Sequence, residues 1–235
     1  MSSAQLALPL PARAALGRAD FFVAPGNALA LAQVDGWPAW PQGRLAVIGP
    51  EGAGKTHLVH VWATRSGARI LHPDALPGLD IGAIPDGAAV AVEDADTIAE
   101  LGLWAAGAEE GLFHLCNRLA ATGGSLMVTG RDAPARWPLA LPDLASRLGT
   151  AGVARLDPPD DTLLSALLVK LFADRQLEVT PDLVRYLVAR IDRSYAAAER
   201  VVGALDHAGL ARRRPVTARL AAEILRAPDA PAPRR

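Results

Sequence analysis

The sequence predicts an α/β fold, a parallel sheet covered on both faces by helices and followed by a small all-helical part. Three observations predict it. Apolar runs of strand length, "RLAVIG" (44–49), "AAVAVED" (88–94) and "SLMVTG" (125–130), each end in glycine or acids. Helical stretches separate them, and strands alternating with helices build parallel sheets. Beyond "LDPPDD" (156–161) the strand pattern stops and only helical spacing remains.

Taken in order, the first strand follows a Pro-, Gly- and Trp-rich stretch, "WPAWPQG" (37–43). His57 to Arg65 then reads as a helix with Leu58, Val61 and Trp62 on one face. The second strand run leads to a helix over Glu109 to Ala121, where Leu112, Leu115 and Leu119 share a face. After the third run, helices are expected over 161–174, 181–191, 195–209 and 217–226. Thr180-Pro181-Asp182 caps one of them and Val216-Thr217 opens the last. The expected organisation is an extended segment over 1–20, an α/β domain over 21–157 and a helical domain over 158–226. The tail at 227–235, "APDAPAPRR", has a disordered composition.

Bulk properties narrow the function. The chain has 235 residues, 51% of them hydrophobic, enough for a sizeable core. No stretch approaches the ~18–20 apolar residues of a membrane span, and no targeting pattern is present. A cytoplasmic protein without a membrane partner is expected. The net charge of −1 argues against an obligate nucleic-acid coat, whose affinity rests on basic residues facing phosphates. Cys116 is the single cysteine, so no internal disulfide forms. Lysine occurs only at positions 55 and 170, which makes Lys55 conspicuous.

Lys55 belongs to "GPEGAGKT", Gly49 to Thr56, which fills the G-x-x-x-x-G-K-[S/T] pattern between a strand and a helix. Gly52 and Gly54 let the backbone wrap so that successive N–H groups point at phosphate oxygens. The helix that starts here adds its positive end. Lys55 is expected to reach the β- and γ-phosphates, and the Thr56 hydroxyl to ligate Mg²⁺. The matching acidic motif is Val90-Ala91-Val92-Glu93-Asp94. By position Glu93 is the metal-side acid and Asp94 polarises the attacking water. The usual first acid is Asp, so the longer Glu points to weak hydrolysis. ATP or ADP with Mg²⁺ is the expected ligand.

With those motifs in place, the chain resembles the AAA+ ATPases, and within them the branch formed by the replication initiator DnaA and its truncated relative Hda. The P-loop sheet domain followed by a helical lid carries the likeness. So do "LPDLASRL" (141–148), which resembles that branch's arginine-finger box, and 191–225, which resembles its lid helices. "QLALPL" (5–10) resembles the hexapeptide with which such proteins bind the sliding clamp, the polymerase III beta subunit. The resemblance implies that Arg147 is an arginine finger acting in trans on a neighbour's γ-phosphate. It implies that Gln5, Leu6, Leu8, Pro9 and Leu10 bind the clamp, with Gln5 in a polar pocket and the leucines in an apolar groove. An extended, proline-containing peptide is ordered at low cost.

Two positions depart from the family pattern. In "VTGRD" (128–132) Thr129 keeps a polar group for phosphate or water, but Arg131 stands where Asp is expected, with Asp132 beside it. In the lid, the nucleotide-sensing arginine falls on Ala196, with Arg193 and Arg200 nearby. The chain also stops where the initiator would continue into its DNA-binding domain, so DNA is expected to be met only through the clamp.

The resemblance therefore implies a clamp-tethered negative regulator of replication initiation that promotes hydrolysis of DnaA-bound ATP, with weak ATPase activity of its own. Two alternatives stay open: an autonomous ATPase of the helicase-loader type, and a clamp-binding adaptor without catalysis. Self-association also stays open.

Overall fold

The computed structural model describes residues 18, 21–100, 102, 107–212 and 214–226. The hexapeptide at 5–10 and the tail at 227–235 lie outside the described residues. Strands β1 (Arg44–Ile48), β2 (Arg69–Leu71), β3 (Ala89–Val92), β4 (Ser125–Gly130) and β5 (Gly152–Arg155) form one sheet in the order β2-β3-β4-β1-β5. Every pairing is parallel. Helices α1 (Pro25–Asp35), α2 (Lys55–Ser66), α3 (Ala108–Thr122) and α4 (Pro142–Gly149) surround it.

The period-two alternation of β1 shows how the sheet is covered. Ala46 and Ile48 pack with Leu112, Leu115 and Leu119 of α3 and with Leu144 and Leu148 of α4. Leu45 and Val47 pack on the opposite face with Leu31 and Val34 of α1 and Leu58 and Trp62 of α2. All five residues of β1 are buried, Arg44 included, which is why residues 45–48 read as continuously apolar rather than alternating. The predicted parallel sheet with helices on both faces is the observed one.

Helices α5 (Asp161–Asp174), α6 (Pro181–Val188), α7 (Tyr195–Arg212) and α8 (Ala218–Ile224) follow. They share an apolar cluster of their own, centred on Leu168, Phe172, Leu187 and Leu205. Asp160 caps α5 by accepting the Leu163 N–H at 2.7 Å, and Thr180 and Thr217 cap α6 and α8. Ala24, Leu163 and Leu167 pack together where α5 meets the segment leading into α1.

Several details differ from expectation. The acidic run is strand only to Val92, and Glu93 and Asp94 lie in the turn beyond it. Helix α6 stops at Val188 instead of 191, whereas α2 begins two residues earlier, at Lys55. Two strands and two helices were not expected: β2, β5 and α1 carry no clear periodic signal, whereas α4 does, with the buried Leu144 and Leu148 four residues apart. In β5 only Ala154 is buried, because the strand is a sheet edge held by its pairing with β1.

Candidate functional site

The loop Gly49–Gly54 leaves the carboxyl end of β1 and runs into α2. Its strand sits beside β4 and β5, where connections depart in opposite directions across the sheet, the usual place for a ligand crevice in open α/β sheets. The Gly49 N–H donates to the Gly130 carbonyl at 3.2 Å, which ties the loop to the end of β4. Gly52 has φ 72° and Gly54 φ 102°, left-handed conformations that cost little only for glycine. Gly52 has a second reason to be glycine: a Cβ there would lie 2.4 Å from Ser194 Cβ.

That contact joins the loop to the helical part. The Tyr195 N–H, at the start of α7, donates to the Gly52 carbonyl at 2.7 Å. Between them lies a cavity of about 320 Å³, lined by Glu51, Lys55, Thr56, Asp94, Tyr195, Ala196 and Glu199 among others. Its size falls in the range of ligand pockets. A narrower cleft of about 30 Å³ shares Gly52, Gly54, His57 and Tyr195 with it and continues to Phe21, Phe22 and Asn27. The rings of Phe21 and Tyr195 flank His57, at 5.1 and 6.3 Å between centroids. Asn27 accepts the Ala24 N–H at 2.8 Å and donates to the Phe22 carbonyl at 2.9 Å, fixing that wall.

Lys55 is buried, and its ammonium donates to the Gly49 and Pro50 carbonyls at 2.9 and 3.1 Å. Burial lowers its pKa; Asp94, Asp96 and Glu51 partly restore it, while Arg131 lowers it further. Thr56 is exposed to the cavity. Asp94 takes a left-handed conformation, φ 48°, and its N–H donates to the buried Thr129 hydroxyl at 2.8 Å. The structure thus brings Lys55, Thr56 and Asp94 to one cavity, with Thr129 supporting the turn of Asp94.

Other expected residues lie apart from it. Glu93 is buried and does not line the cavity; its Oε2 is 3.9 Å from His72 Nε2, and its Oε1 has no partner among the described residues. Arg193 is held by Asp161, with Nε at 3.0 Å and Nη2 at 2.7 Å. Arg200 is exposed on α7, and Ala196 and Glu199 face the cavity instead. Arg147 is on the last turn of α4, its guanidinium 5.4 Å from the Phe113 ring centroid, and its Nε is buried without a partner among the described residues.

Sequence reasoning missed Glu109. This buried carboxylate accepts the backbone N–H groups of Ala140 and Leu141, at 3.0 and 2.7 Å, and so sets the entry to α4. An acid in the first turn of an otherwise apolar helix face was its only signal. Phe21, Asn27 and Tyr195 were missed as cavity walls, because nothing local marks them.

No protein-family model matches the chain. Solved structures do. Domain III of the replication initiation protein DnaA from Thermotoga maritima is similar over 86% of this chain and 91% of that one, with TM-score 0.73 at 18% identity. AMPPCP-bound DnaA from Aquifex aeolicus is similar over 83% of this chain and 67% of that one, with TM-score 0.64 at 15% identity. A RuvB variant from Thermotoga maritima is similar over 77% and 61%, with TM-score 0.58 at 15% identity. The chain has a DnaA-like AAA+ fold. At these identities the likeness is one of fold, and roles at single positions rest on the site's own geometry. Among the described residues, no helix of this AAA+ fold is long and apolar enough to cross a membrane.

Proposed function

We propose that this protein binds ATP or ADP in the cavity between the P-loop and α7 and regulates replication initiation by promoting hydrolysis of ATP held by the initiator DnaA. The single observation that carries the reading is the division of labour in the site. The phosphate cradle forms around Lys55, while Arg147 stands outside its lining, on the last turn of α4 with its guanidinium over the Phe113 ring. A guanidinium placed so serves a neighbour's phosphate better than its own chain's.

The residues present fit a nucleoside polyphosphate. The left-handed glycines open a cradle, Lys55 already donates to loop carbonyls where phosphate oxygens would take over, and α2 begins at the loop. The Aquifex aeolicus DnaA of similar fold binds AMPPCP. Of the two expected Mg²⁺ donors, the Thr56 hydroxyl lines the cavity and is an oxygen ligand that fits the ion, whereas Glu93 lies outside the lining. When bound, the ion neutralises phosphate charge and fixes the phosphate chain. Asp94, in the cavity, orients water, and Thr129 keeps it in position.

Residues 5–10 would tether the protein to the sliding clamp, confining its action to DNA already under replication. Arg147 then enters the ATP site of DnaA and stabilises charge on the transferring phosphoryl group. A second reading, an ATPase acting on its own account, draws support from Asp94 lining the same cavity as Lys55.

The deciding experiment follows hydrolysis of ATP pre-bound to DnaA in the presence of DNA-loaded clamp. Wild type is expected to accelerate it, and Arg147→Ala to lose about 10³-fold of that acceleration, the lower range for fingers supplied in trans. An Arg147→Ala protein as active as wild type sinks the regulator reading. Turnover without DnaA that depends on Asp94 would favour the autonomous ATPase.

A further inference from the structure

Gln42, in the turn that leads into β1, is exposed yet holds φ 50°, the left-handed region that a side chain enters only at a cost. Its amide oxygen shows what holds it there. Gln42 Oε1 accepts from Arg44 Nη2 and from the Thr150 hydroxyl, the latter at 3.2 Å. Thr150 closes the C-terminal end of α4, and its hydroxyl also lies 2.9 Å from the Arg147 carbonyl oxygen, so its one proton is shared between two acceptors. Gln42 therefore ties the start of β1 to the last turn of α4, the turn that carries Arg147.

Beneath this bridge lies a second guanidinium. Arg44 is 7% exposed, and its Nε and Nη1 have no partner among the described residues. Helices α3 and α4 end on its side of the sheet, since they lead into β4 and β5, the two strands that flank β1. Their carboxyl ends carry partial negative charge, which lets a cation stay charged there. Both Arg44 and Arg147 lie close enough to the Cys116 thiol to work against the burial that pushes its pKa up to about 12. Two like charges thus share one region. Arg44 occupies the inside, and the half-buried Arg147 is left the outside, over Phe113.

We propose that Gln42, Arg44 and Thr150 are positioning residues for Arg147. The Gln42 bridge fixes the last turn of α4, and the buried Arg44 charge keeps the Arg147 guanidinium turned out toward a neighbouring molecule's phosphate. The inference rests on the trans-acting reading of Arg147 above, and it gives the strained backbone at Gln42 a use.

The test starts from Gln42→Gly, which cuts the bridge while taking φ 50° without strain, so its melting temperature should not fall. In the assay of DnaA-bound ATP it is expected to lower the maximal acceleration about tenfold, within the cost of a misplacement of about 1 Å. The half-saturating concentration should stay within about twofold. Gln42→Glu keeps the acceptor oxygen and should retain the acceleration. In an Arg147→Ala background, Gln42→Gly should change nothing further. Full acceleration by Gln42→Gly, a loss confined to half-saturation, or an equal loss without Arg147 overturns the proposal. Should Gln42→Gly fail to fold, Thr150→Val, which removes the hydroxyl, carries the same expectations. Hydrogen exchange of the Arg147 Nε–H, assigned by its loss in Arg147→Lys, reads the geometry without DnaA. Gln42→Gly should speed that exchange about tenfold, and an unchanged rate overturns the proposal. Wild type that fails to accelerate hydrolysis takes down the trans-acting reading instead, and the exchange rate still decides the bridge.

Discussion

Two glycines of the P-loop show how one residue type does different work three-dimensionally. Gly54, at φ 102°, has open space where a Cβ would go; Gly52, at φ 72°, has the Ser194 side chain there. Gly54→Ala therefore pays only for the left-handed backbone, about 1 kcal/mol. Gly52→Ala adds a steric conflict with the start of α7 and is expected to cost about 2–4 kcal/mol. Denaturant unfolding of both variants checks the ranking; equal losses would mean that the Ser194 contact yields without cost. The motif pattern identified both glycines, but the second constraint on Gly52 comes from a residue more than a hundred positions away.

Elements gain their functional meaning from what holds them. Helix α4 carries Arg147, yet the residue that sets its start is Glu109 on α3, through two backbone N–H groups. Glu109→Ala leaves both buried donors without their acceptor and is expected to destabilise by about 2–3 kcal/mol. It should also lower the trans activation proposed for Arg147. A change below about 0.5 kcal/mol by chemical denaturation would show that water replaces the carboxylate. Strands β2 and β5 illustrate the limit of periodicity. Of the three residues of β2 only Leu71 is buried, and β5 buries only Ala154, so neither presents an apolar run to read. Their place comes from pairing with β3 and β1. The central strands, buried on both faces, were legible for the opposite reason.

At the scale of the whole molecule, the sheet part and the helical part meet across the cavity, through Tyr195 on Gly52 and through Ala24 with Leu163 and Leu167. A ligand that binds there and not to the unfolded chain stabilises both parts. At a hundredfold excess over Kd this amounts to about 2.7 kcal/mol, or a rise of about 5–10 °C in Tm. The rise should vanish in Lys55→Ala; its persistence would place the nucleotide elsewhere. The pH dependence has a definite sign. Burial lowers the Lys55 pKa, so between that lowered value and the ordinary one the folded chain without nucleotide holds fewer protons than the unfolded chain. The stability set by this group therefore rises with pH across that window. Phosphates beside the amine restore its charge, so nucleotide binding at alkaline pH takes up protons. Calorimetry in two buffers of different ionisation enthalpy measures this, and proton release would contradict it.

The P-loop, the acidic turn at Glu93-Asp94 and the three central strands were readable from contiguous residues, because their physics is local. Backbone freedom at glycine, a helix start and a run of burial all operate within a few positions. Long-range packing governs the rest. It set Glu93 against His72 and outside the cavity lining, and it put Asp94 in that lining. It took Arg193 to Asp161, joined Asp96 and Glu100 on Arg131, and made Phe21 and Tyr195 the flanks of His57. Such contacts follow no period along the chain, since they arise where separate elements happen to end side by side.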